Sequence, residues 1–241
     1  MTANQYGLAR SIPDAVKLAV RQQCGFGCVI CGSTIVEYEH FAPDYKDAED
    51  HLAAGIALLC PLHHAQATKG ILPKEQVASS RLEPMSLQNG FARENHPYFR
   101  GIPNLEFGGG LKFIDVAVPI MVRGKPVMSF TPNNESDITS VSLSFGDSSG
   151  KNILSVIDNE WSVSSQVWDF QNIANRYIIK SSDRSAQIIL MFHAPNRIII
   201  ENANVFVDGI PLVVDSSGMH FGNINASGST FMGAPVGIHF G

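Results

Sequence analysis

Cys28-Val29-Ile30-Cys31, then Glu39-His40, then Cys60-Pro61-Leu62-His63-His64 is the stretch on which the fold and chemistry of this chain turn. In each Cys/His pair two residues separate the ligands, so both side chains can grip one ion from a single tight turn. Thiolate and imidazole are the donors of tetrahedral zinc, and Cys28, Cys31, Cys60 and His63 together make a Cys3His set. A structural zinc knuckle needs nothing more. Yet Glu39, His40 and His64 remain, and a carboxylate with two imidazoles is what a hydrolytic metal site requires. Three residues separate Cys24 from Cys28, a gap that suits a knuckle poorly, and Cys24 reads as a buried free thiol.

Outward from this stretch, the local elements follow. Ser11-Ile12-Pro13-Asp14 reads as a helix start, with Ser11 as cap and Asp14 complementing the dipole; the helix stops near Gly25. Residues 35–41 have strand character and residues 43–50 are acidic and loop-like. Ile56-Ala57-Leu58-Leu59 delivers Cys60, and Pro61 opens a helix running through Thr68 to Gly70. A hairpin between the two ligand pairs, followed by that helix, brings His40 towards the first helical turn. A divalent ion held by Glu39 and His64 can then act on a phosphodiester.

These residues resemble the HNH endonucleases, a ββα-metal family, in the version tied by a zinc knuckle. The resemblance covers about residues 8–75. It rests on Cys28 and Cys31, on Glu39-His40, and on Cys60 with His63-His64. It implies that His40 is the general base that takes a proton from the attacking water. It implies that Glu39 and His64 hold a catalytic divalent ion, Mg2+ or another, and that the substrate is DNA. Two departures mark this chain: Glu39 stands where Asp is commoner, and Gly55 stands where the family has a central Asn that braces the loop of the base. Asp50 and His51 are the candidates for that bracing role. Arg10, Lys17, Arg21 and Lys69 are candidate phosphate contacts, each equally readable as a solvated surface charge.

The rest of the chain differs in character. Residues 76–107, with three prolines including Pro97, read as a connecting segment with one short helix, and Gly108-Gly109-Gly110 marks a boundary. From 108 to 241, short β-type runs alternate with turn chemistry such as Pro132-Asn133-Asn134 and Asp208-Gly209. The expected fold is α+β: a zinc-bound ββα-metal domain over 1–75 and an all-β domain, sandwich or solenoid-like, over 108–241. The β domain carries no catalytic motif. His193, His220 and His239 lack ligand spacing, and Trp161 and Trp168 read as buried sheet aromatics. A recognition, regulatory or assembly role is expected for it, with Val236–Phe240 as an interface of a homo-oligomer.

Composition bounds the partners. With 241 residues, 44% hydrophobic and 16% charged, the chain is ordinary for a globular protein. Its net charge of −5 argues against coating nucleic acid by bulk electrostatics. The first 75 residues hold six Lys/Arg against eight Asp/Glu, so no basic patch stands out there. No apolar run reaches the roughly 18 residues of a membrane span, and residues 1–10 lack an apolar signal core. All four cysteines lie in the first quarter, which favours metal binding in a reducing, cytoplasmic compartment over disulfide staples. The expected function is a divalent-metal-dependent DNA endonuclease, in bacterial defence by the resemblance. The alternative is a catalytically silent zinc-binding adaptor whose β domain binds a partner.

Overall fold

Pro13 opens the first helix, α1 (Asp14–Gln23), from an extended backbone, and Asp14 and Arg21 place acid and base at its matching ends. Val16 and Val20, four apart, turn one face into the core of this region. The chain reverses through Gly25 and Phe26, both at positive φ, and delivers Cys28 and Cys31. Next come β1 (Glu37–His40) and β2 (Ile56–Leu59), antiparallel, with Glu39 opposite Ala57 and His40 opposite Ile56. All four residues of β2 are buried, as a continuous apolar run predicts for a strand covered on both faces. Cys60 caps α2 (Pro61–Thr68), with Pro61 at its first position. These elements pack around Val20, Val29, Ile56, Leu58, Leu59 and Val77.

The computed structural model describes residues 3–95, 98–133 and 135–240; Pro97 and Asn134 lie outside the described residues. By packing, the chain divides into two compact units: Met1–Glu94 with Ser164–Asp169, and Asn95–Val163 with Phe170–Gly241. The segment expected to hold one short helix holds two, α3 (Lys74–Leu82) and α4 (Met85–Asn89), followed by a strand, β3 (Phe91–Asn95). Pro73 and Pro84 cap these helices from extended conformations, so each proline opens a helix.

The second unit is strands throughout. β4 (Asn104–Phe107) and β5 (Leu111–Ile114) form a hairpin across the triple glycine. Gly109 sits at φ +69°, where an added Cβ would meet the backbone of Gly218 at 2.4 Å, so the run makes a tight turn inside this unit. An antiparallel meander links β6 (Val118–Val122), β7 (Lys125–Asn133), β8 (Ile138–Gly146), β9 (Asn152–Ile157) and β10 (Glu160–Ser164). A strand at Asp169–Ile173, β11, leads to a second meander. It runs through β12 (Arg176–Lys180), β13 (Gln187–His193), β14 (Arg197–Val207), β15 (Ile210–Asp215), β16 (Gly218–Phe221) and β17 (Ile224–Ala226). Parallel pairings join β4 to β14, β5 to β18 (Thr230–Met232) and β6 to β19 (Val236–Phe240). The pairings close on themselves as a barrel. Val236–Phe240, read from sequence as an interface, thus pairs with a strand of its own unit.

The period-two pattern predicts these strands because alternate residues face inward. β13 alternates strictly between half-buried and buried positions. Two sequence runs, 198–200 and 205–207, merge into the single long β14, while the run 113–122 breaks into β5 and β6 around Asp115 at positive φ. Trp161 is buried, packed edge-to-face on Phe192 at 4.3 Å and beside Tyr177 at 5.5 Å, a core aromatic as expected. Among the described residues no helix is long and apolar enough to cross a membrane.

Candidate metal centre and adjoining cleft

The first cluster is the one the spacing predicts. The ligand atoms of Cys28, Cys31, Cys60 and His63 all lie within 4.8 Å of one another. Cys28 Sγ is 3.4 Å and Cys60 Sγ is 3.2 Å from His63 Nδ1, and Cys31 Sγ is 3.8 Å from Cys60 Sγ. A tetrahedral zinc with Zn–S of about 2.3 Å and Zn–N of about 2.0–2.1 Å has S···S edges of about 3.8 Å and S···N edges of about 3.5 Å. The four side chains therefore stand close enough to hold one metal ion, and their spacing and donor set suit zinc.

Electrostatics at the sulfurs agree. A hydrogen bond from the Cys31 thiol holds Cys28 well below the usual thiol range, against the opposing effect of burial. Backbone N–H groups of Cys60, Cys31 and Ile30 add to this. That same bond, with burial, pushes Cys31 up, and metal binding requires its thiolate. Cys24 stays outside the cluster as a buried free thiol, pushed up to about 11 chiefly by burial.

Successive helix residues point about 100° apart, so His63 and His64 face different neighbours from one turn of α2. His63 meets the sulfurs. His64 meets β1, with Nε2 at 3.0 Å from Glu39 Oε2 and Nδ1 at 3.5 Å from Glu37 Oε2. Glu37 and Glu39 share this face because strand side chains alternate. Glu39 is a carboxylate only 8% exposed, so it needs a counter-charge. Lys74 supplies one: its ammonium contacts Glu39, lies 3.1 Å from Asp44, and donates to the His40 carbonyl at 2.9 Å. Burial alone would lower Lys74, yet these carboxylates leave its pKa above the usual value.

His40 closes the same cleft, a cavity of about 350 Å³ also lined by Glu39, His64, Lys74, Arg10 and Thr68. Its Nε2 lies 3.0 Å from His51 Nδ1, and His51 Nε2 donates to the Ala9 carbonyl at 2.8 Å. Burial, then the neighbouring His51, lowers the His40 pKa below the ordinary imidazole value, so the ring is neutral at neutral pH. Of the two bracing candidates, it is His51 that touches His40.

Gly55 has its own reason. Its carbonyl accepts the N–H groups of Phe41 and Ala42, and a Cβ there would meet the Ala42 oxygen at 2.1 Å. The main chain at 55 therefore braces the segment after His40, and no side chain fits there.

The expected phosphate contacts separate. Arg21 is engaged, bidentate to Asp169 at 2.7 and 2.9 Å and donating to the Tyr38 hydroxyl at 2.9 Å. Lys17 pairs with Asp14 at 3.7 Å, and Lys69 lies exposed beyond α2. Arg10 lines the cleft, its guanidinium 5.3 Å from the Tyr45 ring centre. Sequence reading missed Lys74 and Asp44, which line the cleft, and Glu37, which meets His64 from the strand face it shares with Glu39; Lys74 arrives only through the turn after α2. In the second unit, His193 sits beside Asn175, and His220 lies between Ser217 and Asn225, each in a local polar network. Compared with protein-family models, curated proteins and solved structures, the chain matches none.

Proposed function

We propose that the first unit is a divalent-metal-dependent endonuclease of the HNH type acting on DNA, with His40 as general base. One observation carries this reading: the cleft gathers Glu39, His64 and a neutral His40 directly beside the Cys3His cluster. The Glu39 Oε2 to His64 Nε2 distance of 3.0 Å equals the edge between neighbouring ligands of an octahedral ion with bonds of about 2.1 Å. Glu39 and His64 are thus the ligands such an ion would take, and it would supply Lewis acidity to the phosphodiester oxygens. His40 accepts the proton of the attacking water as its oxygen bonds to phosphorus and the phosphorus–oxygen bond to the leaving group breaks. Arg10, at the rim of the cleft, offers a guanidinium to the phosphate backbone.

The test is plasmid nicking by the purified, zinc-loaded chain with Mg2+, Mn2+, Ni2+ or EDTA, wild type beside His40→Ala. The expected outcome is metal-dependent nicking that falls at least about 100-fold in the variant while zinc content and thermal melt stay unchanged. Equal cleavage by both proteins sinks the assignment.

Lys74 favours a second reading. An ammonium already neutralises Glu39, as in a zinc-binding adaptor that has no use for a second metal. Zinc-loaded wild type that nicks DNA with none of these ions supports the adaptor.

A further inference from the structure

The carbonyl of Ala9 can only accept a hydrogen bond, so the His51 Nε2 that lies 2.8 Å from it carries the proton. A neutral imidazole has one N–H, which leaves His51 Nδ1 as a lone pair. His40 Nε2, 3.0 Å away, must then be the donor of that contact. By the same count, His40 Nδ1 is unprotonated, and among the described residues it makes no hydrogen bond. We propose that His51 is the positioning residue for His40: it holds that ring in the Nε2–H tautomer and so makes Nδ1 the nitrogen that accepts a proton. The part concerning proton acceptance rests on the endonuclease reading above; the hydrogen-bond assignment does not.

The surroundings keep His51 in place for this task. It belongs to the long connection between β1 and β2, flanked by 3-10 turns at Tyr45–Asp47 and Ala53–Gly55. Tyr45 stacks on it, ring planes 14° apart, and meets His40 edge-on at 5.5 Å. Asn4 donates to the carbonyls of Tyr45 and Ala48, and the Tyr45 hydroxyl donates to the Leu8 carbonyl. The segment that precedes α1 is therefore fastened to this connection at several points, with Ala9 held at the far end of the relay. In the family pattern a single Asn braces the base. Here the task is divided, with the Gly55 carbonyl holding the backbone after His40 and His51 holding its ring.

Two measurements test this on the full, zinc-loaded chain. Long-range proton–nitrogen NMR of histidine-labelled protein at mildly alkaline pH reads the tautomer of each ring, with His40→Gln identifying the His40 signals. The expected result is His40 as Nε2–H in wild type and in His51→Asn, whose amide oxygen can still accept, and a tautomer mixture in His51→Phe. Nicking kinetics should show kcat lowered about 10- to 100-fold in His51→Phe with KM nearly unchanged, and largely recovered in His51→Asn. His40 found as Nδ1–H in wild type overturns the proposal. So does a His51→Phe protein that nicks at the wild-type rate. If wild type does not nick at all, the endonuclease reading fails, and the tautomer spectrum by itself upholds or overturns the hydrogen-bond assignment.

Discussion

Single residues in this chain are constrained by what their side chains would touch. Gly55 illustrates it: any side chain at this place needs a Cβ where the Ala42 oxygen stands 2.1 Å away. Gly55→Asn should therefore destabilise the first unit by about 2 kcal/mol or more, read as a lower midpoint in chemical denaturation of the zinc-loaded protein. The sequence showed that the residue departs from the pattern, and the close approach that demands it lies in the fold. Cys24 makes a prediction about pH. Burial raises its thiol from 9.0 to about 11, so the neutral form is favoured in the folded state. That contribution to stability is complete below the pKa of the unfolded thiol and is lost as pH rises through about 11. Because the thiolate is the nucleophile, Cys24 should resist iodoacetamide at mildly alkaline pH until denaturant is added, as peptide mass mapping would reveal. Rapid labelling in the folded protein contradicts that burial.

At the scale of elements, the Cys/His cluster joins three pieces of chain. The turn after α1 gives Cys28 and Cys31, the end of β2 gives Cys60, and α2 gives His63. Metal binding and folding of such a site are coupled, since the ligands converge only in the folded chain. Cys60→Ser should abolish stoichiometric zinc, measured by elemental analysis, and open α2 to limited proteolysis. A Cys60→Ser protein with one tightly held zinc and an intact α2 would show that the cluster is not what closes this element. The α2 boundaries were readable because Pro61 and Cys60 carry the start in their own chemistry. Helices α3 and α4 were hidden by the same residue type: Pro73 and Pro84 look like breakers, and only the direction of the following chain reveals them as openers.

For the whole molecule, the two units have separate hydrophobic cores, one built on β2 and the other on Trp161, Phe192 and their neighbours. Among the described residues, the Cys/His cluster that suits zinc lies in the first. Removing zinc with a strong chelator should cost helical circular-dichroism signal and leave the strand signal and its thermal transition in place. Loss of both signals together at one temperature is the result against it. The sequence by itself determined the candidate metal-ligating set, the hairpin-then-helix order around it and the β character of the second unit. Those depend on residue type at short spacing and on period-two or period-3.6 patterns, which are local. Tertiary structure decided how the strands close through parallel pairings between distant segments, because hydrogen bonding between strands leaves no mark in either strand alone. It also decided that Lys74 neutralises Glu39 and that His51 reaches His40. Long-range contacts of this kind are fixed by packing of the intervening chain, and the residues at their ends look like any other lysine or histidine until that packing is known.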